Sequence, residues 1–433
     1  MSGMKETDSR KKMIGSRTLA ALLLFVIANL VVVAMLPRTT RQLTAAELKA
    51  SPNEKRQEGR WIWWVARNYL VDHPDADIAL LGSSQMSAAL YSAEPLHLKK
   101  AVDCVTDKES VLLSDRLSEK LGVKPSTYMF AMGGAMASDH YMLARALFTR
   151  EHKPKLVIVG VNPRDFIDNM VPSVNATEPF NFLLPYVDLG DMSRYAFPDA
   201  IAWLDWKLNE TLPIALAGKT FKEALPAITE TAADLVATKI LKTDTRTCQA
   251  EACTNVADNG RVDVLNAIYG KESEVKPGVW VIPPESLKSF VNNQHEYEKR
   301  YKNPAPAIYQ REKTFFKAFL TYCKNENIEV MVVGMPSLWP NRALLPDSFW
   351  SEFKSSLQAI CTDTGATWVD LFGDERFNNR DYLDTVHMNM KGGEKLVSAL
   401  VDHIAASRTL AGALTRPSDI AAGKSPARAK SWQ

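Results

Sequence analysis

KLVIVGVNP, residues 155–163, holds an unbroken apolar run at 156–161, bounded by Pro154 before the stretch and Pro163 at its close. An aliphatic, β-branched stretch of about four to eight residues between such breaks reads as a strand, and the lack of polar alternation says that both faces are covered. Four runs of the same kind accompany it: DIALLG (77–82), TYMFAMGG (127–134), IEVMVVGMP (328–336) and ATWVDLF (366–372). Between them lie helical patterns, SDHYMLARALFTR (138–150), TFFKAFLTYCKN (314–325) and SFWSEFKSSLQAICTDTG (348–365), and a final one, MKGGEKLVSALVDHIAAS (390–407), follows. Buried strands alternating with helices predict a doubly wound α/β domain with a parallel sheet.

In such a sheet the functional residues collect at the carboxyl ends of the strands. The first run ends in Gly82-Ser83-Ser84-Gln85, the second in Gly133-Gly134 and the third in Gly160-Val161-Asn162-Pro163, while Asp384-Thr385-Val386-His387 precedes the last helix. Together they supply a hydroxyl, amide donors, and a carboxylate three residues before an imidazole, the set that acyl transfer through a serine nucleophile requires. Taken singly, each has an ordinary explanation as a turn, a helix cap or a surface histidine. Their order, each at a strand end, is the specific signal. His140 and His152 lie in or beside a helix and read as structural.

The assembled order resembles the SGNH (GDSL-like) hydrolase superfamily, whose blocks are a Gly-Asp-Ser turn, a lone Gly, a Gly-x-Asn-Asp turn and a late Asp-x-x-His. Here these align with Gly82-Ser83-Ser84, Gly134, Gly160-Val161-Asn162 and Asp384 to His387. The resemblance implies a flavodoxin-like sheet with Ser84 as nucleophile, His387 as general base and Asp384 orienting the imidazole. It also implies an oxyanion hole built from the Ser84 N–H, the Gly134 N–H and the Asn162 side chain. Two positions depart from the pattern: Ser83 replaces the Asp of the first block and Pro163 the Asp after the Asn. A Gly-Ser-Ser turn combined with an anchor and large insertions is similar to the membrane-anchored branch represented by the D-alanyl transfer protein of the teichoic-acid pathway and the exopolysaccharide O-acetyltransferases. That likeness implies an integral-membrane acyltransferase as partner and an acylated glycan or glycolipid as substrate. An inactive relative that binds glycan or an assembly partner is the competing reading, and hydrolysis and transfer remain alternatives because both begin with the same acyl-enzyme.

Residues 18–36, TLAALLLFVIANLVVVAML, carry no charge and are close to the about 20 residues that cross a bilayer, so they are expected to be an uncleaved anchor. Lys5, Arg10, Lys11, Lys12 and Arg17 before the run favour a cytoplasmic tail at 1–17 and a catalytic domain outside the cytoplasm, with the protein single-pass in the cytoplasmic membrane. Residues 37–60 read as a stalk, 61–407 as the catalytic domain with insertions at 86–126 and 165–307, and 408–433 as a disordered tail. The longer insertion is expected to roof the site. Trp61, Trp63 and Trp64 suit either an interfacial belt or core packing.

The net charge of +2 over 433 residues conceals basic flanks: segments 1–17 and 416–433 together carry +6, leaving the body at −4. No basic stripe of the kind a nucleic-acid binder needs is present. Neither metal-ligand spacing nor a phosphate-binding Gly-rich loop occurs, so no cofactor is expected. The five cysteines allow two disulfides with Cys104 left free, or buried free thiols.

Overall fold

The run at 155–163 forms β4 among the strands of the described residues, which are β1 (Ile78–Leu81), β2 (Val102–Asp103), β3 (Thr127–Met129), β4 (Leu156–Val161), β5 (Val281–Ile282), β6 (Glu329–Gly334) and β7 (Thr367–Asp370). The computed structural model describes residues 23, 24, 27, 42–49, 61–149, 152–211, 281–282 and 292–415. Five strands make one sheet in the order β3-β1-β4-β6-β7, and every pairing in it is parallel. Numbered by their succession in the chain, these strands run 2-1-3-4-5 across the sheet. β2 and β5 pair separately, antiparallel.

Strand side chains alternate between faces, and both faces are covered. Ile78, Leu80, Leu156, Ile158, Met331 and Val333 enter one core with the helices Ser84–Leu98, Val111–Leu121, Met390–Ala406 and Arg408–Thr415. Their neighbours Ala79, Leu81, Val157, Val159 and Val332 are equally buried and point the other way. On that side aromatic rings dominate: Tyr128 lies 5.1 Å from Tyr69, Phe130 5.4 Å from Phe148, and Phe166 5.5 Å from Phe316. The helices Ala137–Leu147 and Pro306–Asn325 pack together there.

Between the two helices that will matter most, Ser84–Leu98 and Met390–Ala406, the approach is closer than any side chain permits. A Cβ on Gly393 would stand 2.1 Å from the Ala89 carbonyl oxygen. The Gly-Gly pair inside a helix, costly for helix propensity, is therefore a packing requirement.

Several expectations change. Residues 86–126 are largely the crossover from β1 to β3, made of the Ser84–Leu98 and Val111–Leu121 helices around β2. Trp63 is buried and Trp61 and Trp64 pack against the core, so core packing decides between the two readings of that segment. Within the expected stalk, Ala45–Lys49 is helical, Leu43 and Leu48 are buried, and this helix packs on Trp61–Asp72. The disordered tail expected at 408–433 is corrected for its first part: Arg408–Thr415 is a helix with Leu410 fully buried and Ala413 and Leu414 inside the core layer. The Ala-rich composition concealed a one-sided apolar stripe that the Met390–Ala406 helix can cover. Residues 416–433 lie outside the described residues.

Cys104, Cys323 and Cys361 are buried free thiols, and Cys248 and Cys253 lie outside the described residues. Most of the apolar run at 18–36 also lies outside them; Leu23, Leu24 and Ile27 are helical and exposed. Among the described residues no helix is long and apolar enough to cross a membrane. Chain contacts divide the molecule into two units. Arg41–Ala196 with Cys253–Gln433 holds the sheet together with Ser84, Gly134, Asn162, Asp384 and His387. Met1–Thr40 with Phe197–Ala252 is the other, whose described part includes the Ala200–Thr211 helix and a Phe197–Trp206 ring stack at 5.0 Å.

Candidate active site

β1 ends at Leu81 and the chain turns at once into a helix whose first residue is Ser84. Gly82 makes the turn at φ +148°, where a Cβ would stand 2.7 Å from the Met86 Cβ and 3.1 Å from the Gly160 carbonyl. Only glycine passes between β4 and the helix start in that conformation. Ser83 stands at the N-cap position in extended conformation, without a side-chain capping bond, and is buried, whereas Ser84 remains partly exposed. At the first helical position the Ser84 N–H has no partner within the helix and sits at the positive end of the helix dipole, as an oxyanion donor must.

His387 approaches Ser84 from the other end of the chain. Its Nε2 lies 2.9 Å from Ser84 Oγ, and its Nδ1 lies 2.6 Å from Asp384 Oδ2. Facing a carboxylate, Nδ1 carries the ring proton, so Nε2 accepts from the Ser84 hydroxyl. Asp384 is itself held: its Oδ1 accepts the N–H groups of Val386 at 2.8 Å and His387 at 2.7 Å. This local turn is why the three-residue spacing brings carboxylate and imidazole together. The loop is secured by Leu383 N–H donating to the His387 carbonyl and by Ser92 Oγ donating to the Met388 carbonyl. Burial by itself would lower the His387 pKa, but the Asp384 carboxylate, through charge and hydrogen bond, outweighs it and raises the pKa above the ordinary value.

Asn162 and Gly134 arrive from the ends of β4 and of the stretch that continues β3. The Asn162 amide nitrogen donates to Ser83 Oγ at 3.0 Å and to Asp165 Oδ2 at 2.8 Å, and its Oδ1 accepts the Arg164 N–H at 3.0 Å. Both amide hydrogens are thus engaged at rest, so donation to an oxyanion requires the Ser83 bond to be shared or exchanged. Gly134 is exposed at φ +82°, and the nearest group to a Cβ there would be the Arg164 guanidinium at 3.9 Å. Arg164 donates to the Ala135 carbonyl at 2.9 Å and so ties the Gly134 loop to the end of β4.

Sequence reading treated position 165 onward as insertion and missed what the NPRDF run (162–166) does. Arg164 Nε bonds Asp168 Oδ2 at 2.8 Å, and Arg300 Nη1 reaches the same oxygen at 2.7 Å. Arg300 belongs to the helix Gln294–Tyr301 at the far end of the long insertion, just after Asn293, whose Oδ1 accepts from Thr385 N–H at 3.0 Å and Oγ1 at 2.6 Å. This helix therefore spans from the Asp384–His387 loop to the segment after β4, and Glu296 and Arg300 act on His387 with opposite sign. The described end of the insertion thus lies against the Asp384–His387 loop, while residues 212–280 and 283–291 lie outside the described residues. The signal available in the sequence was a charged pair, Arg164-Asp165, directly after an apolar strand.

Behind Asn162 lie three buried carboxyls. Burial pushes Asp165 up to about 7 against the pull of Arg164, Ser83 and Asn162, and pushes Asp139 up to about 6 against the Met136 N–H and Thr177. Glu312, bonded to Ser138, is raised further by burial and by the charges of Asp139 and Asp165. His140 is buried in the Ala137–Leu147 helix with neither ring nitrogen hydrogen-bonded, and burial lowers its pKa to about 3, so it is a neutral core residue. A groove of about 660 Å³ opens between the Ala137–Leu147, Pro306–Asn325 and Asp347–Thr364 helices but contains no residue of the Ser84 site.

No protein-family model matches this chain, and no curated protein matches it.

Proposed function

We propose that this chain is a serine esterase or O-acyltransferase of the SGNH type, acting on acyl esters of a cell-envelope polysaccharide or glycolipid. The observation that carries the reading is the continuous hydrogen-bonded series Asp384–His387–Ser84, ending on a partly exposed hydroxyl at a helix N-terminus. The strand order 2-1-3-4-5, with helices on both faces, supports the flavodoxin-like, doubly wound form that the superfamily uses.

In this mechanism Ser84 Oγ attacks the ester carbonyl as His387 Nε2 takes its proton. The carbonyl oxygen becomes an oxyanion held by the Ser84 and Gly134 N–H groups and the Asn162 amide. Collapse expels the alcohol, which takes the proton from His387, and leaves an acyl-Ser84. Water or a sugar hydroxyl, deprotonated by the same imidazole, then attacks that ester; collapse breaks the bond to Ser84 Oγ, which takes the proton back from His387 and frees the acid or the acylated sugar. The apolar run at 18–36 supports placement on the outer side of the cytoplasmic membrane, where an integral-membrane acyltransferase would supply the acyl group for transfer.

The competing reading, an inactive SGNH-fold protein that binds glycan or an assembly partner, draws on the Asn162 amide being occupied by Ser83 and Asp165. A fluorophosphonate probe applied to the full chain in membranes separates the two. The esterase or transferase reading requires a single label that Ser84→Ala abolishes. Absence of labelling on folded wild-type protein would sink it.

A further inference from the structure

Asp165 has no counterpart among the blocks that single out Ser84, Gly134, Asn162 and His387, yet it grips the weakest of them. Its Oδ2 accepts both the backbone N–H of Asn162 at 3.1 Å and the side-chain amide at 2.8 Å. An Asn side chain turns easily about its last torsion, and a flipped amide would present its carbonyl oxygen to an oxyanion and repel it. Here both ends of the amide are keyed. A carboxylate is acceptor-only, so the atom facing Asp165 must be the nitrogen, while Oδ1 is taken by the Arg164 N–H at 3.0 Å. That leaves the second amide hydrogen directed at Ser83 Oγ, one residue before the nucleophile.

Asp165 has the Arg164 charge beside it. Arg164 Nη1 faces Asp165 Oδ1 at 3.7 Å, and the same nitrogen donates to the Ala135 carbonyl beside Gly134. Two adjacent residues thus brace two of the three donors. We infer that Asp165 is the positioning residue of the oxyanion hole, orienting the Asn162 amide toward the Ser83–Ser84 turn, with Arg164 bracing the Gly134 loop. The inference rests on the acyl-transfer reading and deepens it. It also gives a reason for the missing carboxylate of the first block: the charge that Ser83 lacks is supplied from the end of β4. The Asp165 carboxyl, buried and pushed up to about 7, is sensitive to protonation in the neutral range, where it would lose its acceptor-only character.

Turnover of a short-chain p-nitrophenyl ester by the full chain in detergent tests this. Asp165→Leu is expected to lower kcat about 10²-fold, the scale of a misplaced catalytic group, with KM changed less than about threefold. Because Asp165 acts through Asn162, the double variant D165L/N162A should be no slower than N162A alone. Asp165→Asn, which can still offer a carbonyl oxygen, should retain more activity than D165L, and its cycle with N162A serves equally if D165L does not fold. Effects that multiply in the cycle, or D165N and D165L losses that simply follow the folded fraction, overturn the role. Wild-type protein that neither turns over ester nor labels at Ser84 overturns the acyl-transfer reading and this role with it.

Discussion

His387 Nε2 stands 2.9 Å from Ser84 Oγ although 303 residues separate them. The contact depends on two helices, one beginning at Ser84 and the other just after His387, lying almost backbone to backbone. Helix Ser84–Leu98 sets the hydroxyl and helix Met390–Ala406 sets the loop that carries the imidazole.

Gly393→Ala should therefore damage both fold and chemistry. Its Cβ would fall 2.1 Å from the Ala89 carbonyl, a backbone atom that cannot rotate away. A loss of about 2–3 kcal/mol in thermal or urea unfolding is expected from such overpacking, together with slower probe labelling of Ser84. Gly412→Ala is the control, since nothing lies within 4 Å of a Cβ there. It should leave stability unchanged or raise it by up to about 1 kcal/mol. Equal effects of the two substitutions would refute the close-approach argument.

Asp384→Asn should leave the fold in place and lower kcat by about 10³- to 10⁴-fold. The amide can still accept the Val386 and His387 N–H groups at 2.8 and 2.7 Å, but it no longer stabilises the imidazolium or selects the tautomer that leaves Nε2 free to accept. Steady-state kinetics with a melting curve would check this. A variant within tenfold of wild type would remove Asp384 from the mechanism.

On the acyl-transfer reading, the acid limb of the pH–rate profile should belong to His387. An imidazolium cannot accept the Ser84 proton, so kcat/KM falls as pH drops through the His387 pKa. That pKa is raised: burial opposes the charge, but Asp384 prevails. The midpoint should accordingly lie above the about 6.5 of an ordinary histidine, and Asp384→Asn should move it downward. A midpoint that stays put in that variant contradicts the assignment.

His140 makes a separate prediction about stability. Its folded pKa is depressed to about 3 by burial, against about 6.5 in the unfolded chain. Above that unfolded value both states are neutral and nothing is lost. As pH falls below it, the unfolded chain takes up a proton that the folded state refuses, so stability declines by up to about 4–5 kcal/mol toward pH 3. His140→Leu removes this loss and leaves no unpaired ring nitrogen in the core. Relative to wild type, its melting temperature should gain more at pH 4.5 than at pH 7.5. Equal gains at both would show that His140 does not carry the acid sensitivity.

Much of the fold was legible because the strands are short, apolar on both faces and separated by turn residues. The five runs from DIALLG to ATWVDLF each contain a strand of the parallel sheet; the helices at 138–150, 348–365 and 390–407 are found within a few residues of those bounds, whereas the one expected at 314–325 starts eight residues earlier, at Pro306. Arg408–Thr415 was misread because composition reports neither a helix's stripe nor the neighbour that covers it. In the site, Ser84, Asn162 and His387 could be named from the ends of runs. Arg164 and Asp165 showed in the sequence only as a charged pair after an apolar strand; what they hold shows only in the hydrogen bonds that link Asn162, Ser83 and the Gly134 loop.

Local sequence determined the alternation of buried strand and helix, the glycine turn ahead of Ser84, and the Asp384–His387 spacing, because each follows from backbone sterics and side-chain periodicity over a few residues. Tertiary structure alone decided that His387 meets Ser84, that the Asn162 amide meets Ser83, and that Asn293, just ahead of the helix Gln294–Tyr301, binds Thr385. Those relations depend on distances between atoms remote in the chain. They are set by how close two helices can pack and by which buried donors and acceptors must find one another once water is excluded.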